Sequence, residues 1–106
     1  MTDRPEIVCI CGSARFVDEM HAANQALTLA GAIVVAPSAL TTNSHAPDAE
    51  ISDEQRTALG ELHLRKIDLA DRVLVVNPGG YIGESTKREI AHAEATGKQV
   101  SYTERA

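Results

Sequence analysis

Tryptophan is missing from this 106-residue chain, and Phe16, Tyr81 and Tyr102 are its only aromatic residues. Platforms that stack the bases of RNA or single-stranded DNA depend on such rings, so that class of partner is excluded. The core must pack from aliphatic side chains and alanine. Positive charge is scarce as well: ten Lys and Arg stand against fifteen Asp and Glu, for a net charge of −5. This is the wrong sign for holding a nucleic-acid backbone, although local N–H groups and one arginine can still bind a small anion. No apolar run approaches the ~20 residues that cross a bilayer. The start, Met1-Thr-Asp-Arg-Pro-Glu6, has no signal-peptide pattern. A cytoplasmic protein with neither a nucleic-acid polymer nor a membrane as partner is expected.

Cysteine is sparse too. Cys9 and Cys11 lie two apart in an apolar segment, so in a strand they leave the same face and are poorly placed for a mutual disulfide. They read as small buried hydrophobes. His21, His45, His63 and His92 show no ligand spacing with one another or with the cysteines, and no metal or other cofactor is expected.

What the chain does contain is an alternation of strands and helices in one domain, residues 1–106. The hydrophobic fraction of 43% supports a modest core, and a second core would not fit. Ile7 to Cys11 is a short β-branched run ending at Gly12-Ser13, which predicts a buried strand entering a turn. Phe16, Met20, Ala23, Leu27 and Ala30 then recur at helical spacing before Gly31. Ala32 to Ala36 predicts a second buried strand, closed by Pro37. The polar stretch Ser38 to Ser52 is long for a loop in so small a domain. Ser52-Asp-Glu-Gln55 has the form of a capping box, opening a helix with Leu59, Leu62 and Leu69 on one side. A third strand over Val73 to Val76, a helix over Ser85 to Thr96 and a last strand over Gln99 to Thr103 complete the order βαβαβαβ. Continuous apolar strands alternating with helices imply a parallel sheet covered on both faces. The simplest result is a small doubly wound α/β sheet of flavodoxin or Rossmann type, in the order 2-1-3-4.

That topology locates a site. Ligands of such sheets bind beyond the carboxyl ends of the strands where the order reverses, here between strands one and three. The loops at that crevice are Cys11-Gly-Ser-Ala-Arg15 and Asn77-Pro-Gly-Gly-Tyr-Ile-Gly-Glu-Ser-Thr86. Gly12 and Ser13 offer N–H groups and a hydroxyl for phosphate, and Arg15 adds a charge; alternatively Ser13 only caps the next helix. Gly79, Gly80 and Gly83 allow a tight turn, and Ser85 and Thr86 bring hydroxyls to the following helix start. Tyr81 reads equally as a ring-stacking residue or as packing. Glu89 has two readings: a carboxylate at the crevice, or the far half of a Thr86-Lys-Arg-Glu89 capping box. His92 follows Glu89 on the same helix, where exposure to solvent is the commoner outcome. His63, Lys66 and Asp68 belong either to the crevice or to a solvated helix face.

With Cys11-Gly-Ser-Ala-Arg15 after the first strand, Ile67-Asp-Leu-Ala-Asp71 before Val-Leu-Val-Val, and Gly83-Glu-Ser-Thr-Lys-Arg-Glu-Ile-Ala-His-Ala93 before Gly97-Lys98, the chain resembles the nucleoside 2-deoxyribosyltransferase superfamily. It is most similar to the small proteins related to nucleoside 5′-monophosphate N-glycosidases. The resemblance covers most of the chain apart from Ser38 to Ser52. It implies that Glu89 attacks the anomeric carbon of a nucleoside or nucleoside 5′-monophosphate, giving a covalent glycosyl-enzyme. Gly12, Ser13 and Arg15 on one side, with Gly80, Tyr81, Gly83, Ser85 and Thr86 on the other, then hold the substrate. His63 stands where relatives often carry an acidic residue that protonates the leaving base, a task open to histidine near neutral pH. Such relatives complete their pockets with a second subunit, so at least a homodimer is implied. Two other readings stand beside this one. Pro78-Gly-Gly80, with Gly83, Thr86 and Glu89, is similar to an interrupted form of the motif of phosphoribohydrolases that activate cytokinins. A nucleotide-binding module that senses its ligand without turning it over is the alternative outside the enzymes.

Overall fold

The computed structural model describes residues 4–37 and 52–104. Its elements run β1 (Ile7–Gly12), a 3₁₀ turn (Ala14–Phe16), α1 (Val17–Leu29), β2 (Ile33–Val35), α2 (Asp53–Leu69), β3 (Arg72–Val76), a second 3₁₀ turn (Pro78–Gly80), α3 (Glu84–Ala95) and β4 (Gln99–Tyr102). The four strands form an all-parallel sheet in the order β2-β1-β3-β4, as the alternating pattern predicts. Register places Cys9 beside Val73 and Cys11 beside Val75. Most of the long polar stretch lies outside the described residues, from Ser38 to residue 51.

Strand alternation divides the core in two. Ile10 and Val76 face α1, where Met20 is buried and Phe16, Ala23 and Leu27 pack around it. Cys9, Cys11, Val73 and Val75 face α2 and α3, which contribute Ile67 and Ala93, with Ala70 just beyond α2. Ser52 starts α2 with a complete capping box: its Oγ accepts from Gln55 N at 3.1 Å, and Gln55 Oε1 accepts from Ser52 N at 2.9 Å.

Two expectations are corrected here. The second strand is not buried, because β2 is an edge with one strand neighbour, and Ile33 stays 44% exposed. On α2 the sheet takes the stripe His63, Ile67, Ala70, spaced by one helical turn each, and not the leucine stripe. Leu62 and Leu69 therefore stand outside, 49% and 69% exposed. Among the described residues, no helix is long and apolar enough to cross a membrane.

Polar clamps fix both poles of the sheet. At the amino ends of the strands, Arg4 grips Asp71 through two hydrogen bonds of 2.6 and 2.9 Å, and Asp71 also accepts from Ile7 N. At the carboxyl ends, buried Asn77 accepts from Glu104 N at 2.9 Å and donates to Glu104 O at 3.0 Å, which ties down the chain beyond β4.

Candidate active site

A cavity of about 460 Å³ opens beyond the carboxyl end of β1 on the face covered by α2 and α3. A volume of this order suits a small-molecule ligand. Gly12 and Ala14 form its floor beside the sheet, His63, Gly60 and Arg56 descend from α2, and Ser85, Arg88 and Glu89 come from α3. Gly12 sits in a tight place: a Cβ there would meet Val76 O at 3.0 Å and Met20 Sδ at 3.1 Å, so these neighbours would have to give by a few tenths of an ångström.

Of the expected site residues, Gly12, Ser85, His63 and Glu89 line this cavity. The glycine-rich turn after β3 serves another purpose. Gly79 and Gly80 take φ of 67° and 82°, a left-handed backbone that suits glycine, and the turn consumes its own donors. Gly79 N binds Glu104 Oε1, Gly80 N binds Asn77 O, and Tyr81 N binds Pro78 O. These N–H groups are therefore not a phosphate cradle. Tyr81 meets Phe16 edge-on at 5.9 Å, and the Arg15 guanidinium lies 4.1 Å above the Tyr81 ring. Arg15 and Tyr81 thus pair with each other, and neither they nor Gly80 line the cavity. Ser13 does cap, its Oγ accepting from Arg15 N at 3.3 Å. Gly83 is the residue that opens α3, and Thr86 is buried in its first turn.

The cap reading of Glu89 fails on geometry. Because α3 begins after Gly83, Thr86 is already helical and is not the residue before the helix. Glu89 instead points toward α2, with Oε1 3.7 Å from Nε2 of His63, and only 15% of its side chain is exposed. Burial pushes the Glu89 carboxyl above its ordinary value, while His63 and the Cys11 thiol pull it back. For His63 burial is the largest single influence and lowers its pKa, yet the hydrogen bond to Cys9 and the charges of Cys9 and Glu89 together raise it. His63 Nδ1 has no partner among the described residues.

Beneath Glu89, the fold brings together residues that the sequence keeps far apart. His63 Nε2 lies 3.3 Å from Cys11 Sγ and 3.7 Å from Cys9 Sγ, all three residues being buried. The Cys11 thiol faces both the Cys9 sulfur and the Glu89 carboxylate, which holds Cys11 in its protonated form; Cys9, accepting from Cys11, is the more acidic of the two. Neither cysteine is in a disulfide.

Arg56 and Arg88 were not singled out from the sequence. Arg56, Gly60 and His63 follow one another at helical spacing on α2, and Arg88 adjoins Glu89, so a signal was present once the buried face of α2 was known. His92 turns away from the cavity, its Nε2 2.8 Å from Asp68 Oδ1. Lys66 reaches Ala36 O at 2.8 Å, so its ammonium is structural. No protein-family model matches this chain, and no curated protein matches it at a significant level.

Proposed function

We propose that this chain cleaves the N-glycosidic bond of a nucleoside 5′-monophosphate or nucleoside, by hydrolysis or deoxyribosyl transfer, with Glu89 as nucleophile. The observation that carries the reading is Glu89 itself: a largely buried carboxylate, free of any capping role, on the wall of a nucleotide-sized cavity. A Glu89 oxygen attacks the anomeric carbon as the carbon–nitrogen bond breaks, and the bonding pair leaves with the base. Water, or an acceptor base, then displaces the carboxylate from the glycosyl-enzyme.

His63 is the proton-bearing partner in this scheme. Its charged form favours ionised Glu89, and its place on the cavity wall suits proton delivery to the leaving base. Arg56 and Arg88 line the same cavity and supply the positive charge that a phosphate needs. Ser85, in the first turn of α3, adds a hydroxyl next to N–H groups that have no partner within the helix. This arrangement moves the phosphate subsite from the glycine-rich turn to the start of α3. The protein acts in the cytoplasm, as a homodimer or larger assembly.

Incubating the chain with a panel of nucleoside monophosphates and following free base by chromatography tests the reading. Wild type should release base, and Glu89→Gln should lower the rate by at least about 100-fold, in keeping with loss of a nucleophile. Unchanged release by Glu89→Gln removes Glu89 from the mechanism. Binding without release, where a control hydrolase works, replaces the enzyme with a nucleotide-binding module.

A further inference from the structure

We infer that Cys9, Cys11 and His63 form a binding site for a zinc ion, with the fourth position left to water. The site does not depend on the glycosidase reading, since it stands on donor atoms under the cavity and on their spacing. The sulfurs of Cys9 and Cys11 and a ring nitrogen of His63 all lie within 4.8 Å of one another. Zinc bonds of about 2.3 Å to sulfur and about 2.0 Å to nitrogen, in a tetrahedron, place sulfur and nitrogen about 3.6 Å apart. The two observed separations, 3.3 and 3.7 Å, bracket that value. Glu89 Oε1 lies 3.7 Å from the same nitrogen but outside the 4.8 Å group, so it borders the site and is not one of its ligands.

The fold builds this convergence with rigid parts. Alternation along β1 sends both cysteines to one face, in the central part of the sheet, and α2 lays His63 across them. The Cys11 thiol faces the Cys9 sulfur and the Glu89 carboxylate, and His63 Nε2 lies beside both sulfurs. A cation between them takes one lone pair from each sulfur and one from the ring nitrogen. On binding, the ion displaces the thiol protons to solvent, leaving two thiolates whose charge balances a divalent metal and a neutral imidazole. Thiolate with imidazole is a donor set that suits zinc, whereas magnesium and calcium take oxygen. The ion takes the place of any proton on Nε2, which also passes to solvent, so zinc-bound and proton-bearing His63 are alternative states of one residue.

Titration of the reduced 106-residue chain with Co²⁺, followed by displacement with Zn²⁺, tests the site. One equivalent should bind, with thiolate-to-cobalt charge transfer in the near ultraviolet and the intense visible bands of tetrahedral coordination. Cys9→Ser, Cys11→Ser and His63→Gln should each weaken binding at least about 100-fold with the far-ultraviolet circular dichroism unchanged; Glu89→Gln should keep the charge-transfer band. X-ray absorption on the zinc-loaded wild type needs no variant: two sulfur scatterers at about 2.3 Å are expected. Only nitrogen and oxygen scatterers, or no charge-transfer band at one equivalent of cobalt, overturns the site. Base release is not a readout here, so failure of the glycosidase reading leaves this result intact.

Discussion

A carboxylate kept out of water beside thiols costs stability, and Glu89 is placed so that this cost depends on pH. Its folded pKa lies above the ordinary value of 4.5, chiefly through burial, with Cys9 adding to the rise and His63, Cys11 and Arg88 opposing it. A raised carboxyl contributes stability that is fully present below its unfolded pKa and is lost as pH rises through the folded pKa. Glu89→Gln, which cannot ionise, should therefore melt above wild type at neutral pH. An effect on the order of 1 kcal/mol corresponds to about 4–8 °C in a domain of this size. The gap should close as the pH falls below 4.5, measured by thermal melts across that range. A variant that melts with or below wild type at neutrality would mean that the charge of Glu89 is well solvated. At this scale the sequence was partly legible. Glu89 and Gly12 follow from a turn that joins strand to helix, whereas the meeting of His63 with Cys9 and Cys11 is long-range. Strand period places the two thiols on one face, but nothing local says which residue of α2 will cross them.

Among the elements, strand and helix order was readable because apolar runs and cap signals agree, and the Ser52 box formed as its residues predict. The leucines of α2 misled because a helix this rich in charge offers two narrow apolar stripes, and packing against the sheet selects only one. Links between element ends were not visible at all, and the Arg4–Asp71 pair is the clearest case. It joins the segment before β1 to the start of β3. The Arg4 guanidinium, and then the Ile7 N–H, hold the Asp71 carboxyl well below its ordinary value of 3.8. A depressed carboxyl stabilises the fold above its unfolded pKa, and that contribution disappears as pH falls through the folded pKa. Asp71→Asn keeps an acceptor for Ile7 N yet removes the charge. It should lower the melting temperature at neutral pH, and the two proteins should converge in strong acid. Because the pair is exposed, added salt should shrink the neutral-pH difference; a difference that ignores both acid and salt would assign Asp71 a purely steric part.

For the whole molecule, the sheet order was legible, since few topologies satisfy four parallel strands linked by helices. The position of the cavity was legible only in outline. Topology names the carboxyl ends of β1 and β3, but the turn after β3 spends its N–H groups on Asn77, Pro78 and Glu104, and the opening shifts toward α2. The proposed homodimer belongs to this scale as well. Leu29 and Leu69 remain 79% and 69% exposed on one chain, and light scattering coupled to size exclusion should give a mass of two chains or more. The mass of a single chain at working concentration would set that assembly aside.

All four strands point one way, so the molecule has a front and a back. The cavity occupies the front, beyond the ends of the strands, and the Arg4–Asp71 clamp sits at the back, where the strands begin. Tethered through the residues before Arg4 to a bead or sensor surface, the protein therefore turns its cavity toward the solution. Attachment beyond Glu104, held against Asn77 at the front, brings the support alongside the opening.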